Sequence, residues 1–576
     1  MNPLRFCFLN ASVTLSAPFS MAEETKTVLK IQDEVIGSIS PQVFGQFLER
    51  PSWGGETGPE AVVEDSGRLP SNVLEMMASL RPTVMRFPGG SDVDHMNWTD
   101  MISHAPDRTN PDRPISIGKD GDEVTNRFGF DEFFVLQEQL GFEVVLVGNL
   151  RQALYKERPL DEAALHEAGL LAYARSHPGA ELPEGMPAWG DIRVRNGRPD
   201  PVPVRYFMVG NEAQFFWPPK QAETLTELGL ADQEEAWEWF RECLIAYGKA
   251  LKAVDPQVEL ILDGFHDPFN PDNDEANAAR RAIYLHSEIR ALYNHLGAHH
   301  YAPLGFYTAR LKGEPTKHAD FSDEQIWYGL VSAPGLHDET GQNVAVGSHY
   351  DEMIAAGYRI SFTEWNFNAW SEERVLQDRP FLLQVPARLA TAGFLHGILR
   401  HGDNVSLATQ SMILGTQWGI TAIRADASGE QPPYWFPQGQ VALFYRHRTG
   451  RELISSELLN APSFRNPAQL TPWWPAVDEV SLLDVLVTRN DEQLFVHAIN
   501  RSPDKDLPLR IELPESYRPT TSHHAILTSE PGEPFERQDV LPIEILQTST
   551  SSTNTSVLLP RHSLSIIEIR SSRAND

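Results

Sequence analysis

The sequence predicts an α/β fold, a (β/α)8 TIM barrel followed by a C-terminal β-sandwich of jelly-roll-like type. From about residue 41 to 415, short apolar runs alternate with longer helical stretches, as expected of strand–helix units around a parallel sheet. Eight such runs can be counted, and each tends to end in a polar residue. After about residue 440 the pattern changes to short alternating runs separated by Pro, Asn, Asp and Ser, which is typical of a β-sandwich.

The eight apolar runs are the predicted barrel strands. In chain order they are Val43 to Glu49, Val84 to Gly90, Glu143 to Asn149, Val204 to Glu212, Val258 to Gly264, Gly297 to Tyr301, Tyr358 to Trp365 and Asn404 to Gln410. Between them lie segments such as 231–255, where Phe240, Leu244, Tyr247 and Leu251 fall at the spacing of one apolar helix face. Eight strand–helix units predict a closed barrel.

The chain has 576 residues, enough for one domain of catalytic size and an accessory domain. We predict four parts, namely a signal peptide or spurious extension (1–22), an N-terminal strand that joins the β-sandwich (23–40), the catalytic (β/α)8 barrel (41–435) and the C-terminal β-sandwich (436–576). The first part carries one positive charge, Arg5, before a modestly apolar middle, whereas Met21 could be the true start. The protein is secreted or periplasmic if 1–22 are a signal peptide, and cytoplasmic otherwise.

Composition excludes several classes of function. The net charge of −31 would repel phosphate backbones, so we expect no nucleic acid partner. No apolar run reaches the roughly 18 residues of a membrane-spanning helix, so we expect no membrane partner. Cys7 and Cys243 are the only cysteines, which offers neither a disulfide framework nor a cysteine-based zinc site. Neutral small molecules or polysaccharides fit this composition better, and we expect an oligo- or polysaccharide partner.

Polar residues end the predicted strands, and in a barrel these ends share one face. They are Glu49, Arg86, Asn149, Asn211 with Glu212, Asp263, His299, Glu364 and Gln410. Hydrolysis of a glycosidic bond with retention needs two carboxyl groups about 5 to 5.5 Å apart, one protonated and one ionised. Glu212 and Glu364, which end the fourth and seventh strands, can supply them. Arg86 is a candidate cation to keep Glu364 ionised, and Asn211 could hold a sugar hydroxyl.

Four motifs follow one another in the order seen in glycoside hydrolase family 51. They are Phe-Gly-Gln-Phe-Leu-Glu, Met-Arg-Phe-Pro-Gly-Gly, Val-Gly-Asn-Glu and Ser-Phe-Thr-Glu-Trp-Asn. Over roughly residues 27 to 570 the chain resembles an α-L-arabinofuranosidase of that family, a retaining glycosidase of clan A. The resemblance implies that Glu212 is the acid/base and Glu364 the nucleophile. It also implies a substrate-binding set of Glu49, Asn211, Trp217, His299, Tyr301 and Gln431, with the tyrosine hydrogen-bonded to the nucleophile.

The chain departs from the family pattern at positions that bear on the substrate. Where the family commonly has asparagine after Pro-Gly-Gly, this chain has Ser91 followed by Asp92. A contact to the sugar is therefore expected to be shortened or replaced by a carboxylate, and both residues are candidate substrate-binding groups. Thr363 stands before the nucleophile, where the family often has Asp.

We therefore expect an exo-acting α-L-arabinofuranosidase that removes terminal arabinofuranosyl groups from plant or algal polysaccharides through a glycosyl-enzyme intermediate. One alternative is an endo-acting retaining hydrolase of a β-linked polysaccharide, such as xylan, glucan or algal galactan. Another is a non-catalytic carbohydrate-binding protein. We expect no cofactor and no metal, because two glutamates can hydrolyse a glycoside alone. A metal site remains an alternative, with the candidate ligands His295, His299 and His300 together with His266 and Asp263 from the preceding strand end. Relatives in the family are often homo-oligomers, so one is possible here.

Overall fold

A computed structural model of the chain describes the following residues: 27–50, 58–64, 67–106, 108, 112–264, 274–303, 310–311, 314–315, 322–332, 342–344, 350–368, 380–417, 419–466, 477–491, 493–529, 543–548 and 553–573. The predicted signal peptide or extension, 1–22, and the candidate metal ligand His266 lie outside them. Within these ranges, none of the helices combines the length and the hydropathy that crossing a bilayer requires.

The structure has two main sheets. The first described strand, β1 (Val28–Ser38), belongs to the C-terminal sheet, and the eight strands of the other main sheet close into a parallel barrel. The barrel strands are β2 (Gly45–Phe47), β3 (Val84–Phe87), β4 (Glu143–Gly148), β5 (Val204–Val209), β6 (Glu259–Leu262), β7 (His295–Pro303), β8 (Arg359–Asn368) and β9 (Val405–Ser411). They follow one another in chain order, and β9 closes the barrel on β2. The predicted closed barrel is confirmed.

Strand register brings the polar ends of the strands to one level. Glu364 on β8 pairs with His299 on β7, and Trp365 pairs with Gln410 on β9. Gln410 in turn pairs with Gln46 on β2. Since parallel strands carry their carboxyl ends to the same rim, side chains far apart in sequence meet there.

Helices cover the outside of the barrel. They are α1 (Ser71–Leu80), α2 (Phe130–Leu140), α3 (Arg151–Leu154), α4 (Leu160–Arg175), α5 (Trp189–Arg195), α6 (Ala222–Glu227), α7 (Gln233–Val254), α8 (Asp274–Tyr284), α9 (Ser287–Leu292), α10 (Asp323–Val331), α11 (Asp351–Ala355), α12 (Pro380–Arg400) and α13 (Pro437–Arg446). The side chain of Asp232 caps α7 by accepting the N–H groups of Glu234 and Glu235. The predicted apolar face of α7 is fully buried, at Phe240, Leu244, Tyr247 and Leu251.

The predicted β-rich C-terminal region is also confirmed. Its strands are β10 (Glu452–Leu459), β11 (Leu483–Asn490), β12 (Gln493–Asn500), β13 (Leu507–Glu512), β14 (Tyr517–Leu527), β15 (Ile543–Thr548), β16 (Asn554–Leu559) and β17 (Leu564–Arg573). With β1 they form one continuous nine-stranded sheet in the order β15-β14-β17-β12-β11-β10-β1-β13-β16. Strand β1 lies antiparallel to β10 and parallel to β13. The predicted boundary at residues 435 and 436, directly before α13, stays a prediction.

A buried carboxylate joins the barrel to this sheet. Asp484 on β11 accepts a hydrogen bond from Arg501 at 2.8 Å, and its other oxygen lies 3.0 Å from His396 Nδ1 on α12. Arg400, also on α12, donates to the same carboxylate. Burial alone would raise the pKa of Asp484, but the charges of Arg400 and His396 hold it well below its ordinary value. The ionised carboxylate therefore fixes α12 against the sheet.

Short elements complete the described chain. The short strands are Ser116–Ile117 with Glu123–Val124, Arg310–Leu311 with Glu314–Pro315, Leu414–Gly415 with Ile423–Arg424 and Tyr434–Trp435, and Ser463–Asn466 with Val477–Ser481. The short 3-10 helices are Pro41–Phe44, Gly58–Ala61, Ser91–His95, Trp98–Met101, Ala213–Phe215 and Gly402–Asn404.

Candidate active site

Glu364 lies on β8 near the C-terminal rim and is only 5% exposed. Arg86 Nη1 donates to its Oε1 at 2.8 Å, and the Tyr301 hydroxyl donates to its Oε2 at 2.8 Å. Burial alone would raise the pKa of Glu364, but the charges of His299 and Arg86 and the hydrogen bonds from Tyr301 and Arg86 lower it below its ordinary value. The carboxylate is therefore kept ionised, as a nucleophile must be.

The groups that bind Glu364 are themselves held in place. The guanidinium of Arg86 is fully buried, lies 4.6 Å from the centre of the Phe47 ring, and donates a second hydrogen bond to Asn211 Oδ1. The Tyr301 hydroxyl oxygen lies 2.7 Å from Ser411 Oγ. Because a phenol has one proton, Ser411 donates to Tyr301 when Tyr301 donates to Glu364.

Glu212 follows β5 by three residues and adopts a left-handed backbone conformation, with φ 51° and ψ 39°. Its N–H donates to Asp263 Oδ1 at 2.8 Å, and the N–H of Ala213 donates to Asp263 Oδ2 at 2.6 Å. Burial raises the pKa of the Glu212 carboxyl and the charge of Glu364 raises it further, which together outweigh the lowering effect of the hydrogen bond with His299. Glu212 is therefore suited to hold and donate a proton.

The two carboxyl groups meet at His299. Its Nδ1 lies 3.0 Å from Glu212 Oε1 and 3.6 Å from Glu364 Oε1. One ligand atom from each of the three side chains lies within 4.8 Å of the other two, a close approach that suits the pair of carboxyl groups of a retaining glycosidase. Burial alone would lower the pKa of His299, but the two carboxylates raise it above its ordinary value.

The same three side chains could offer ligand atoms to a metal ion. A cation bound there would compete with Arg86, which already donates to Glu364 at 2.8 Å. The opposite pKa shifts of the two glutamates favour proton transfer and nucleophilic attack as the chemistry of this site.

Three other predicted site residues surround this centre. Glu49 is buried, and its carboxylate occupies the space that a Cβ on Gly90 would need, which explains a glycine at φ 70°. Asn211 is 1% exposed, and its Nδ2 has no hydrogen-bond partner among the described residues. Ser91 Oγ donates to Glu212 Oε2 at a long 3.4 Å. An amide donor and a hydroxyl are thus available to a sugar beside the carboxylates.

Asp92 occupies a different position from the one expected of a sugar contact. Its side chain is fully buried and forms an ion pair with Arg50, and its Oδ1 accepts the N–H of Lys119 at 2.9 Å. Arg50 also donates to Asn126 at 3.0 Å, and burial lowers its pKa to about 10. Asp92 therefore stabilises the loop after β3 through buried contacts.

Trp217 and Gln431 take no part in the hydrogen bonds of Glu212 and Glu364 described above. Trp217 is 2% exposed, donates its indole N–H to the carbonyl of Ala236 at 3.2 Å, and packs against Tyr155 with ring centres 5.9 Å apart. Gln431 is exposed in a turn, where its backbone N–H donates to Asp426 Oδ2 at 2.9 Å.

The sequence predicted Asp263 only as a polar strand end and as part of the alternative metal site, and it predicted no role for Ser411. Asp263 was recognisable as a polar residue at the end of the fifth predicted strand, but its bonds to backbone N–H groups carry no sequence signal. Ser411 lies one residue beyond Gln410, where the eighth predicted strand ended, and β9 includes it.

The chain is similar in sequence to known arabinofuranosidases. A family model described as the alpha-L-arabinofuranosidase 1 domain matches residues 76–298. The intracellular exo-alpha-(1->5)-L-arabinofuranosidase of Streptomyces lividans is 25% identical over 502 residues, which are 83% of this chain and 64% of that protein. Alpha-L-arabinofuranosidase C of Emericella nidulans is 32% identical over 243 residues, 42% of each chain. The chain thus spans less than two thirds of the length of these two relatives.

The fold is shared with a solved structure. The family 51 alpha-L-arabinofuranosidase AbfB from Bifidobacterium longum matches with a TM-score of 0.68 at 19% identity, covering 95% of this chain and 100% of that one. The matched domain, the sequence relatives and the shared fold together support the resemblance of this chain to glycoside hydrolase family 51.

Proposed function

We propose that the protein is a retaining, exo-acting α-L-arabinofuranosidase that removes terminal arabinofuranosyl groups from plant or algal polysaccharides. The observation that carries the proposal is the pair Glu212 and Glu364, which bring one oxygen each within 4.8 Å of the other and have pKa values shifted in opposite directions. The names of the relatives in S. lividans and E. nidulans support arabinofuranose as the sugar.

In the first half of the reaction, the ionised oxygen of Glu364 attacks the anomeric carbon of the terminal sugar. The bond from that carbon to the leaving oxygen breaks, and Glu212 gives this oxygen its proton. The sugar is then esterified to Glu364, and Glu212 is ionised. Arg86 and Tyr301, which bind the two oxygens of Glu364 in the free enzyme, orient the carboxylate for attack.

In the second half, ionised Glu212 takes a proton from a water molecule, whose oxygen attacks the same anomeric carbon. The ester bond to Glu364 breaks, which releases the sugar with its original configuration and restores both glutamates. His299, at 3.0 Å from Glu212 Oε1, can stabilise the negative charge that alternates between the two carboxyl groups.

The Nδ2 group of Asn211 supports a role of this residue in substrate recognition. Its Oδ1 is bound by Arg86, which fixes the side chain so that Nδ2 stays free of partners among the described residues. A sugar hydroxyl that accepts this N–H would satisfy a buried donor, and the bond strengthens as charge develops in the transition state.

Release of 4-nitrophenol from 4-nitrophenyl α-L-arabinofuranoside tests the proposal. We expect turnover by the wild type and its loss in Glu364→Ala and Glu212→Ala, with sodium azide restoring turnover in Glu212→Ala because azide needs no general base to attack the intermediate. A wild type that turns over neither this substrate nor arabinan contradicts the proposal.

Product size then separates exo from endo action. We expect arabinose as the first product from a branched arabinan. Oligosaccharides released from xylan, glucan or algal galactan would instead support the endo-acting hydrolase, and sugar binding without any turnover would support a carbohydrate-binding protein.

We also propose that the protein assembles as a homo-oligomer. Strand β15 is at the edge of the nine-stranded sheet and exposes Ile545 and Leu546, and an apolar edge strand is a ready surface for pairing with another chain. Light scattering after size exclusion should give a multiple of 64.6 kDa, and a single-chain mass contradicts this.

A further inference from the structure

We propose that Asp263 is a positioning residue for proton transfer by Glu212, an inference that rests on the proposed function of the same site. Asp263 follows β6 directly and is 1% exposed. Its carboxylate accepts three backbone N–H groups, from Glu212 at 2.8 Å, from Ala213 at 2.6 Å and from its neighbour Gly264 at 2.6 Å. The Asp263 side chain at the end of β6 thus holds the backbone of the acid/base, Glu212, at the end of the neighbouring strand β5.

The conformation held in this way is one that a glutamate rarely adopts. With φ 51° and ψ 39°, Glu212 is in the left-handed region, where the Cβ of any residue other than glycine is crowded. Such a conformation persists only when its surroundings over-determine it. Two successive N–H groups converge on the two oxygens of Asp263, which supplies that constraint and directs the Glu212 side chain towards His299.

Asp263 also acts on Glu212 through its charge. Among the described residues, His299 on β7, Glu364 on β8 and Ser91 in the loop after β3 lie next to the Glu212 carboxyl, and Asp263 after β6 acts on it through its charge. The charges of Glu364 and Asp263 raise the pKa of Glu212, whereas His299 lowers it. The same carboxylate therefore positions the acid and helps to keep it protonated.

Substitution of Asp263 by Asn and by Ala separates the two effects. Asp263→Asn keeps the shape and one acceptor but removes the charge, so the basic limb of kcat/KM, where Glu212 loses its proton, is expected to move to lower pH. Asp263→Ala removes both acceptors as well, and we expect kcat/KM to fall about 10- to 100-fold as Glu212 moves out of position.

The choice of leaving group identifies proton donation as the affected step. Methyl α-L-arabinofuranoside has a poor leaving group that needs the proton of Glu212, whereas 4-nitrophenolate departs with little help. The loss in Asp263→Ala should therefore be larger on the methyl glycoside. An equal loss on both substrates would mean that Asp263 supports the fold only, and would overturn the inference.

Asp131→Asn is the matched control. Asp131 is also an aspartate that accepts a backbone N–H, that of Ser103 at 2.7 Å, but its other partners are Tyr173 and Arg113. This variant should lower the thermal midpoint and leave the basic limb unchanged. The pH at which the basic limb of kcat/KM falls does not depend on the amount of folded enzyme. Asp263→Asn therefore tests the inference even if Asp263→Ala fails to fold. A basic limb of Asp263→Asn at the wild-type pH refutes the inference. An inactive wild type would refute the proposed function instead.

Discussion

Replacing Tyr301 by Phe removes one hydroxyl and tests how Glu364, the proposed nucleophile, is held. The partly buried hydroxyl donates to Glu364 Oε2 at 2.8 Å, and its oxygen lies 2.7 Å from Ser411 Oγ. The ring keeps its shape, so the change acts chiefly on the hydrogen bonds. Because the bond from Tyr301 contributes to the lowered pKa of Glu364, its loss raises that pKa.

The size of the effect follows from the charge of the acceptor. A hydrogen bond to an ionised group contributes about 1.5 to 3 kcal/mol. If that amount is lost from the orientation of the carboxylate in the transition state, kcat/KM falls roughly 10- to 150-fold, since about 1.4 kcal/mol corresponds to a factor of ten. The acidic limb of the profile, where Glu364 becomes protonated, should move to higher pH.

The assay is kcat/KM on 4-nitrophenyl α-L-arabinofuranoside across the pH range, with Tyr293→Phe as control. Tyr293 is buried and also donates its hydroxyl at 2.7 Å, but to the carbonyl of Leu244 on α7. Both variants should lower the thermal midpoint, whereas only Tyr301→Phe should change the rate and the acidic limb. An unchanged acidic limb in Tyr301→Phe would refute the role given to this hydroxyl.

Further expectations concern the pocket wall and the C-terminal sheet. Asp92→Asn leaves the buried charge of Arg50 without its ionic partner, so the free energy of unfolding in denaturant should fall by about 3 kcal/mol or more; an unchanged value contradicts the buried pair. Gly90→Ala puts a methyl group where the Glu49 carboxylate lies, so KM should rise at least about tenfold through one lost charged contact, and Michaelis kinetics with wild-type KM would disprove that placement. A chain that begins at residue 39 lacks β1 between β10 and β13, so limited proteolysis should cut the C-terminal sheet faster than in the full chain, and equal resistance would argue against that pairing.

The barrel could be predicted because its signal is local and repeated. Each buried strand is a short apolar run, such as Glu143–Gly148, and each run stops where a polar side chain reaches the rim. Since the carboxyl ends of parallel strands share one face, the positions of Glu212 and Glu364 followed from the strand count.

The partners of individual side chains could not be predicted in the same way. Asp92 pairs with Arg50 across two loops, and no local pattern records such a contact. Trp217 is buried by Tyr155 and Ala236, which depends on how α7 packs beside the turn after β5.

The role of Asp263 depends on the backbone conformation of Glu212, which the residue types in the sequence do not indicate. Glutamate is uncommon in the left-handed region, so nothing in Asn211-Glu212 indicates that the N–H groups of Glu212 and Ala213 would turn towards one acceptor. The amide of Asn211 could be named as a sugar contact, whereas its anchoring by Arg86 appears only in the structure.

The most direct test of the double-displacement account is the configuration of the product formed in aqueous methanol. A glycosyl ester on Glu364 can be attacked by methanol in place of water, and two successive inversions give methyl α-L-arabinofuranoside, which does not interconvert with its anomer. We predict that proton NMR during turnover of 4-nitrophenyl α-L-arabinofuranoside shows the α-configured methyl glycoside. A β-configured methyl glycoside, or hydrolysis with no methyl glycoside, would contradict an intermediate on Glu364.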